Sequence, residues 1–384
     1  MQKLSSSFKL GIIGGGQLAR MSAYQAYRYG IQVGALTSSS GNDPMEEVTP
    51  HCFRGSIHDF ETLKALADWA DVITLENEFL DGELLEKLKH ETGTPIYPSP
   101  SSFRKIENKR IEKETFRDAG IPVAPFMVIQ QPDDLKDAGT KFGWPYILKS
   151  SKGGYDGYGN ATVKNIREAS EAFMKLGGNA GREVIAEQRI PFTHELAVLT
   201  ARNEHGMVIY PCVETIQENH ICTKVIAPAR IPRALRVQAC ELAAAATEAI
   251  NGKGLFAFEF FLTADNAILL NESAPRPHNS GHYTIEACIT SQFENHVRTV
   301  IGLPPATADM RTPVAVMVNI LGKVNGAAIA HNKQYFGFEK DTHLHIYGKK
   351  DCRIGRKMGH VTVLGQNPEE CLRQAKMVDE GIVL

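Results

Sequence analysis

The segment "FAFEFFLTADNAILLNE" (Phe256–Glu272) consists of two apolar stretches separated by polar residues that include Asp265 and Asn266. Two apolar stretches around a short polar turn predict a β-hairpin. If the chain turns about Asp265 and Asn266, Glu259 lies opposite Glu272, with Cβ atoms about 4.5–5.5 Å apart and the neighbouring phenylalanines on the other face. A register shifted by one residue would instead place the two glutamates on opposite faces.

Two carboxylates held opposite each other repel unless a cation compensates their charge. Mg²⁺ is a hard cation that binds carboxylates together with phosphate oxygens. The hairpin therefore predicts a Mg²⁺ site at Glu259 and Glu272. The polar residues that follow Glu272 and that we expect in the same pocket are Arg276, His278, Asn279 and Ser280. A single histidine would more often be structural, but a polar cluster beside a predicted metal site indicates contacts with a substrate.

Composition limits the classes of function that this chain can have. The 384 residues include 42 Lys and Arg against 44 Asp and Glu, which gives a formal net charge of -2 and no basic field for nucleic acid or an anionic membrane. No apolar run approaches the roughly 20 residues of a membrane span, and the N-terminus lacks the apolar core of a secretory signal. The seven cysteines form no C-x-x-C pair. We therefore expect a cytoplasmic protein with reduced thiols and no zinc site.

The order of strand and helix patterns predicts an α/β (α+β) protein of three parts. Residues 1–107 alternate strands and helices, which predicts a doubly wound parallel sheet. Residues 108–190 begin with a helix that ends near Gly120-Ile-Pro122 and continue as a small α+β unit. Residues 191–384 are rich in strands and contain a long helix near Ala234 to Ile250, so we expect a larger mixed domain.

Gly14-Gly15-Gly16 follows the first predicted strand, where glycines allow a helix N-terminus to approach an anion. The spacing from Gly11 is G-x-x-G-G-G, which differs from the dinucleotide pattern G-x-G-x-x-G. The second strand ends in "ALTSSS" and lacks the acidic residue that NAD-binding proteins place on the ribose. An anion site and a plain tight turn both remain open, and an NAD-dependent dehydrogenase is a remote alternative.

A second glycine-rich stretch, "SSKGGYDGYGN" (Ser150 to Asn160), directly follows Lys149. Its backbone amides could wrap phosphate oxygens, whereas the alternative is a flexible surface hairpin. Lys149 favours the phosphate interpretation, because a lysine that closes an apolar strand needs an anion to offset its burial. Near the C-terminus, the basic stretch "YGKKDCRIGRKMGH" could cradle another phosphate or form a solvated loop.

Together, "GIIGGGQLARM", "ITLENEF", "GGYDGYGN", "NESAPRPHNSGHYT" and "YGKKDCRIGRKMGHVT" resemble the ATP-grasp superfamily, and within it the 5-(carboxyamino)imidazole ribonucleotide synthetases. The resemblance implies an ATP-grasp fold with a pre-ATP-grasp domain, a lid domain, and a catalytic domain whose C-terminal segment binds the substrate phosphate. It also implies a homodimer that uses ATP, Mg²⁺ and bicarbonate to carboxylate the exocyclic amine of 5-aminoimidazole ribonucleotide through carboxyphosphate. The products would be 5-(carboxyamino)imidazole ribonucleotide, ADP and phosphate.

Two alternatives accompany this resemblance. A formate-dependent glycinamide ribonucleotide formyltransferase of the same superfamily shares the "APRPH" neighbourhood, although "HNSGHYT" and the basic C-terminal stretch argue against it. Fungal relatives fuse the synthetase to a mutase domain. The chain is therefore expected to be either a complete synthetase or the N-terminal part of a bifunctional phosphoribosylaminoimidazole carboxylase.

Carried over position by position, the resemblance implies sites for ATP, substrates and metal. The residues implied for ATP are Lys109, Lys149, Gly154, Tyr155, Asp156, Gly157, Tyr158, Gly159, Asn160, Glu187, Gln188, Arg189, Ile190, Glu195, His220, Asn271 and Glu272. Those implied for substrates are Gly15, Gly16, Gln17, Leu18, Glu76, Tyr155, Asp156, Arg276, His278, Asn279, Ser280, Lys349 and Arg356. Those implied in catalysis are Lys149, Tyr155, Asp156, Arg276 and His278, and the implied metal ligands are Glu259 and Glu272.

Within these sets, Lys109 and Lys149 would bind ATP phosphates, whereas Lys349 and Arg356 would bind the ribonucleotide phosphate. Residues 187–190 resemble the adenine-binding hinge, and Glu195 would bind the ribose. The sequence departs from the family at Tyr158, where a basic residue is usual. A histidine that often contacts ATP aligns near Gln217 or His220, and the sequence leaves both open.

Overall fold

The computed structural model describes residues 5–153, 159–329, 331–332 and 341–383, and three large β-sheets organise them. Each large sheet is built from one continuous part of the chain. The domain boundaries predicted after residues 107 and 190 fall between consecutive sheets and stay predictions. Within the described ranges, no helix has the length and apolarity that crossing a membrane requires.

The N-terminal sheet has five parallel strands in the order β3-β2-β1-β4-β5. Its strands are β1 (Lys9–Ile13), β2 (Gln32–Thr37), β3 (His51–Arg54), β4 (Val72–Leu75) and β5 (Ile96–Tyr97). Its helices are α1 (Gln17–Tyr27), α2 (Phe60–Trp69), α3 (Gly82–Thr92) and α4 (Pro100–Arg104). Helix α1 packs on one face, and helices α2 and α3 pack on the other. This arrangement confirms the predicted doubly wound sheet.

The second part is a helix followed by a small four-stranded antiparallel sheet in the order β6-β9-β7-β8. Its strands are β6 (Phe126–Ile129), β7 (Tyr146–Ser150), β8 (Asn160–Val163) and β9 (Val184–Gln188), and its helices are α5 (Lys109–Asp118), α6 (Asp134–Phe142) and α7 (Ile166–Lys175). Helix α5 begins at the cap Asn108, whose side chain accepts hydrogen bonds from Arg110 N and Ile111 N. The Asn108 amide also donates to Glu183, which ties the start of α5 to this sheet.

The third sheet is antiparallel and contains nine strands, in the order β15-β14-β10-β12-β13-β16-β21-β19 with β11 beside β10. Its strands are β10 (Phe192–Asn203), β11 (Gly206–Ile209), β12 (Val213–Glu218), β13 (Ile221–Ala227), β14 (Gly254–Thr263), β15 (Ile268–Ala274), β16 (Val314–Leu321), β19 (Thr342–Ile346) and β21 (Lys357–Gly365). Two-residue strands β17 (Gly326–Ala327), β18 (His331–Asn332), β20 (Asp351–Cys352) and β22 (Ile382–Val383) form two small ribbons. The helices here are α8 (Arg233–Ala249), α9 (Thr284–Ala287), α10 (Gln292–Val300) and α11 (Pro368–Gly381).

Hairpin β14–β15 carries the predicted carboxylate pair, and its register is less regular than expected. Near the turn, Phe261 pairs with Leu269, which is one residue away from the register that the sequence suggested. A β-bulge after Glu259 then shifts the pairing by one residue and leaves Asn271 as the extra residue. Glu259 and Glu272 therefore do face each other, as predicted, although the bulge rather than the turn produces this pairing.

The two faces of this hairpin have different surroundings. Phe256, Phe258 and Phe260 are buried against helices α5 and α8, where the ring of Phe116 meets that of Phe258 edge-on with centroids 6.2 Å apart. Glu259 lies between two of these phenylalanines in sequence and points to the opposite face. The sequence-based assignment of the apolar face is confirmed, and it leaves the glutamates directed away from the core under α8.

Candidate active site

Loops from β1 and β4 meet at the point where the strand order of the N-terminal sheet reverses. Strands β1 and β4 are neighbours, but the chain leaves them toward opposite sides of the sheet, which opens a crevice at their carboxyl ends. The glycine turn follows β1, and the acidic stretch that contains Glu76 and Glu78 follows β4. Ligands of open α/β sheets bind in this crevice.

The glycine turn packs directly against the carboxylate of Glu76. A Cβ atom added to Gly16 would lie 2.2 Å from Glu76 Oε1, and Gly14 has a φ of +118°. Larger residues are therefore excluded at both positions. Burial raises the pKa of Glu76 to about 7, although hydrogen bonds from the N–H groups of Gly16 and Leu18 oppose that rise. The group at this helix N-terminus is thus a carboxyl group of the protein itself.

A cavity of about 640 Å³ lies between this crevice and hairpin β14–β15, with walls from all three parts of the chain. The predicted site residues that line it are Gln17, Leu18, Glu76, Lys109, Glu259, Glu272, Arg276, His278, Asn279, Lys349 and Arg356. Residues separated by more than 300 positions in sequence therefore share one cavity. Its volume falls within the range that is usual for small-molecule binding sites.

The other predicted residues that the structure describes are not among those that line this cavity. Gly15 and Gly16 form the turn next to Glu76, and Ser280 lies behind His278. Gly159 precedes β8, which begins at Asn160, and Glu187 to Ile190 cover the end of β9 and the residues after it. His220 is an exposed turn residue with a φ of 64°, whereas Gln217 is half-buried on β12. Gly154, Tyr155, Asp156, Gly157 and Tyr158 lie outside the described residues.

The facing carboxylates have opposite electrostatic environments. Burial, together with the charge of Glu272, raises the pKa of Glu259 well above its usual value. Lys109 holds the pKa of Glu272 well below its usual value, because the Lys109 Nζ lies 3.0 Å from Glu272 Oε2. Glu195 belongs to the same acidic group, since burial and then the charge of Glu272 raise its pKa to about 7.

The donor set at this hairpin fits Mg²⁺ held jointly with a ligand. Among the described residues, no group of three or more His, Cys, Asp or Glu side chains is arranged to hold a metal ion by itself. Glu259 and Glu272 supply two hard oxygen donors, and their mutual repulsion would be relieved by a divalent cation. The remaining oxygens would come from phosphate groups and water, as is usual for Mg²⁺ in nucleotide sites.

Lys149 pairs with a buried carboxylate instead of standing alone. Its Nζ lies 2.9 Å from Glu187 Oε2 and 3.5 Å from Asn271 Oδ1. A second buried lysine, Lys113 on α5, lies 3.3 Å from the other oxygen of Glu187. The sequence analysis missed Lys113, because "NKRIEKETFRD" is polar on most sides and does not show which lysine faces inward. The sequence analysis expected an anion beside Lys149, and the structure places Glu187 there; the phosphate contact of Lys149 stays a prediction.

Arg276 is fixed by a carboxylate that the sequence analysis also missed. Its Nε and Nη2 donate to both oxygens of Glu78, with Nη2 2.6 Å from Oε1. Such a bidentate pair fixes the plane and direction of the guanidinium. Although burial opposes ionisation, the charge and hydrogen bonds of Arg276 hold the pKa of Glu78 below its usual value. The stretch "ENE" directly after β4 was the available signal for Glu78.

His278 is a neutral residue in a defined tautomer. Burial, followed by the charge of Arg276, lowers its pKa to about 3. The Ser280 N–H lies 3.4 Å from His278 Nδ1 and can only donate, so Nδ1 accepts and Nε2 carries the proton. Nε2 lies 3.8 Å from Glu259 Oε1, beside the cavity. Gln292 holds the backbone by accepting from His278 N at 2.9 Å and donating to His278 O at 2.8 Å.

The basic C-terminal stretch folds against the cavity. Lys349 Nζ donates to the Lys357 carbonyl at 2.7 Å, and Arg356 Nη1 donates to the Asp351 carbonyl at 2.6 Å. Arg353 and Lys357 line the cavity with them. Lys349, Arg353, Arg356 and Lys357 give the cavity a cationic lining, where an anionic group of a ligand could bind.

Comparisons with known protein families assign most of the chain. Residues 8–107 match the ribonucleotide synthetase preATP-grasp domain, residues 114–293 match the ATP-grasp domain, and residues 315–374 match the phosphoribosylaminoimidazole carboxylase C-terminal domain. The N5-carboxyaminoimidazole ribonucleotide synthase of Bacillus subtilis is 36% identical over 95% of this chain and 93% of its own length. A phosphoribosylaminoimidazole carboxylase of Ogataea methanolica is 38% identical over 96% of this chain and 69% of its own length.

Solved structures give the same result. The ADP complex of an N5-carboxyaminoimidazole ribonucleotide synthetase aligns with a TM-score of 0.88 at 35% identity, over 98% of both chains. The N5-carboxyaminoimidazole synthase of Aspergillus clavatus, solved with ADP and 5-aminoimidazole ribonucleotide, aligns with a TM-score of 0.85 at 36% identity, over 98% of both chains.

Proposed function

The chain belongs to the N5-carboxyaminoimidazole ribonucleotide synthase family, and we propose that its cavity carboxylates the exocyclic amine of 5-aminoimidazole ribonucleotide with bicarbonate and ATP. It has the ATP-grasp fold with an N-terminal preATP-grasp domain, and it is an ATP-dependent carbon–nitrogen ligase of purine biosynthesis. The proposal concerns which residues perform each part of this reaction. The observation that carries it is one cavity that is lined both by the facing carboxylates with Lys109 and by the basic segment that contains Lys349 and Arg356.

Next to the facing carboxylates, Lys109 and Lys149 bind ATP phosphates, and Glu259 and Glu272 are the residues that would hold Mg²⁺. Support comes from the 3.0 Å contact between Lys109 and Glu272 and from the position of Lys149 beside Asn271. The backbone of residues 187–190 binds the adenine, since the Glu187 side chain is held by Lys113 and Lys149, and Glu195 binds the ribose. Bound Mg²⁺ would neutralise charge on the transferring phosphoryl group.

In the basic segment, Lys349 and Arg356 bind the phosphate of the ribonucleotide, and the loops at Gln17 and Glu76 hold its remaining polar groups. This assignment places the exocyclic amine between the ATP phosphates and the basic segment. Electrostatic separation supports it, because the acidic residues near Glu272 would repel a second phosphate that lacked a compensating cation.

The reacting carbon in our proposal lies next to Arg276 and His278, between the ATP phosphates and the basic segment. An oxygen of bicarbonate attacks the γ-phosphorus, ADP leaves, and the mixed anhydride carboxyphosphate forms. The amine nitrogen then bonds to the carboxyl carbon of carboxyphosphate or to the carbon of CO₂ that carboxyphosphate releases. Phosphate leaves, and the nitrogen loses one proton. Arg276, oriented by Glu78, and the Nε2–H of His278 can donate to the carboxyl oxygens.

A steady-state assay of ADP release tests this proposal. We expect full turnover only when Mg²⁺, 5-aminoimidazole ribonucleotide and bicarbonate are all present. Formate with glycinamide ribonucleotide is the matched control for the superfamily alternative, and it should support no turnover. Equal rates with the control substrates, or a rate independent of bicarbonate, would refute the proposal.

We also propose that the protein is a cytoplasmic homodimer, as the family resemblance implied. A solution molar mass near that of the 42.3 kDa chain, instead of twice that value, would refute the dimer. The fused mutase domain remains a prediction. The chain covers 69%, 68% and 64% of three fungal carboxylases but 93% of the Bacillus relative.

A further inference from the structure

Lys113 is a buried charged group to which the proposed mechanism gives no role. Its side chain is 1% exposed, and its ion-pair partner Glu187 is 2% exposed. The same carboxylate binds Lys149, whose side chain is 8% exposed. Charged groups this deeply buried are rare unless they are paired, because removing a charge from water is unfavourable.

The three charges do not balance. Two ammonium groups share the single carboxylate of Glu187, which leaves one positive charge uncompensated within the group. Two further carboxylates lie nearby: Glu272 pairs with Lys109, and Glu112, which accepts from Ser273 N at 2.7 Å, also interacts electrostatically with Lys113. Glu187 therefore has a second cation beside it in addition to Lys149.

The two lysines also differ in how they hold Glu187. Lys149 makes a hydrogen bond at 2.9 Å, on the side that also reaches Asn271. Lys113 lies 3.3 Å from the other oxygen, and neither Lys113 Nζ nor Glu187 Oε1 completes a hydrogen bond within the described part of the chain. Lys113 thus acts on Glu187 mainly through its charge.

We propose that Lys113 is a positioning residue that compensates Glu187, so that Lys149 can leave this carboxylate and bind a nucleotide phosphate. Without Lys113, Glu187 and Lys149 form a closed neutral pair, and a phosphate must compete with Glu187 for the ammonium. With Lys113, the carboxylate keeps a cation when Lys149 moves. This inference rests on the proposed role of Lys149 in ATP binding and adds a residue to it.

The test compares ADP affinity by titration calorimetry in three variants. Lys113→Met should weaken ADP binding about 10–100-fold, because Lys149 would stay with Glu187 and its charge-assisted hydrogen bond to the phosphate would be lost. Lys113→Met combined with Glu187→Gln restores the net charge and removes the competing carboxylate, so ADP affinity should return to within about threefold of the wild-type value. Lys105→Met, which removes a lysine bound to the Ala249 carbonyl, is the matched control and should leave ADP affinity unchanged.

The outcomes separate this inference from the proposed function. If the double variant binds ADP as weakly as Lys113→Met, or if Lys113→Met binds ADP normally, the inference is wrong whatever the turnover assay shows. If Lys113→Met weakens 5-aminoimidazole ribonucleotide to the same extent as ADP, Lys113 has only a general structural role. Bicarbonate-dependent turnover of the wild-type enzyme is measured separately, and its absence would contradict the proposed function alone.

Discussion

Glu259 and Glu272 face each other across one strand pair, yet their surroundings shift their pKa values in opposite directions. Glu259 has its pKa raised by burial and by Glu272, so it prefers to hold a proton when no cation is bound. Glu272 stays ionised because Lys109 contacts it. The two residues therefore share roughly one negative charge near neutral pH until a cation compensates both.

This asymmetry predicts opposite stability effects for two matching substitutions. The pKa of Glu259 is about 4.5 in the unfolded chain and higher in the folded protein. Its free-energy cost to folding therefore grows as the pH rises from the unfolded to the folded pKa. Glu259→Gln should therefore raise the melting temperature relative to wild type, by more at pH 8 than at pH 5. Folding lowers the pKa of Glu272, so ionised Glu272 stabilises the fold fully above the usual carboxylate pKa, and this stabilisation is lost as the pH falls toward the lowered pKa. Glu272→Gln should therefore lower the melting temperature at pH 8.

Melting curves of the ligand-free proteins at both pH values measure this difference. Both variants should lose at least about 100-fold in turnover, because each removes a ligand of the proposed Mg²⁺ site. Near-normal turnover of both at limiting Mg²⁺ would show that the metal assignment is wrong. Parallel pH profiles of the two variants would show that the electrostatic asymmetry is wrong.

The sequence predicted the position of a single residue only where nearby residues in the chain formed a recognisable pattern. Arg276, His278 and Asn279 follow strand β15 within a few positions, so the sequence predicted them in the same pocket as Glu272, and the structure shows them lining the cavity. Glu78 and Lys113 find their partners 198 and 74 positions away, at Arg276 and Glu187. No local pattern encodes such pairing, because a charged residue on a helix or loop is usually solvated.

At the scale of elements, hairpin β14–β15 shows how a correct prediction can have an incomplete reason. Alternation in "FAFEFF" placed the phenylalanines in the core and Glu259 on the other face, which the structure confirms. The turn alone would have put Asn271 opposite Glu259, and the bulge replaces it with Glu272. Bulges depend on the packing of both strands, so the sequence of one hairpin does not predict them.

Two other elements should divide the anions of the substrates between them. Arg356 lies directly before β21 and lines the cavity, whereas Lys149 lies on β7 and contacts Glu187 and Asn271. Arg356→Ala should raise the KM for 5-aminoimidazole ribonucleotide about 10–150-fold, the equivalent of a lost charge-assisted contact, and leave the KM for ATP nearly unchanged. Lys149→Ala should show the reverse selectivity.

Steady-state kinetics with each substrate varied in turn decide between these assignments. Lys350→Ala is a suitable control for Arg356→Ala, because Lys350 belongs to the same stretch but donates to the Gly41 carbonyl. An Arg356→Ala enzyme whose defect appeared only in the KM for ATP would contradict the assignment of the basic segment.

On the scale of the whole molecule, three sheets surround one cavity, and no single sheet holds a complete site. The switch point of the N-terminal sheet provides Glu76 and Glu78, helix α5 provides Lys109, and the large sheet provides both carboxylates. Sequence patterns indicated the class of each part, because periodicity is a local property. Their assembly around a common cavity depends on distant contacts, such as the packing of α10 on the same face of the N-terminal sheet as α1.

Transfer of oxygen from bicarbonate to phosphate tests the central claim most directly. If ATP phosphorylates bicarbonate in this cavity, one oxygen atom of ¹⁸O-labelled bicarbonate must remain on the phosphate after the carbon–nitrogen bond forms. Mass spectrometry of phosphate from a short incubation with 5-aminoimidazole ribonucleotide should therefore show one ¹⁸O atom per turnover, after correction for exchange with water. Unlabelled phosphate formed alongside the carboxylated product would contradict the account.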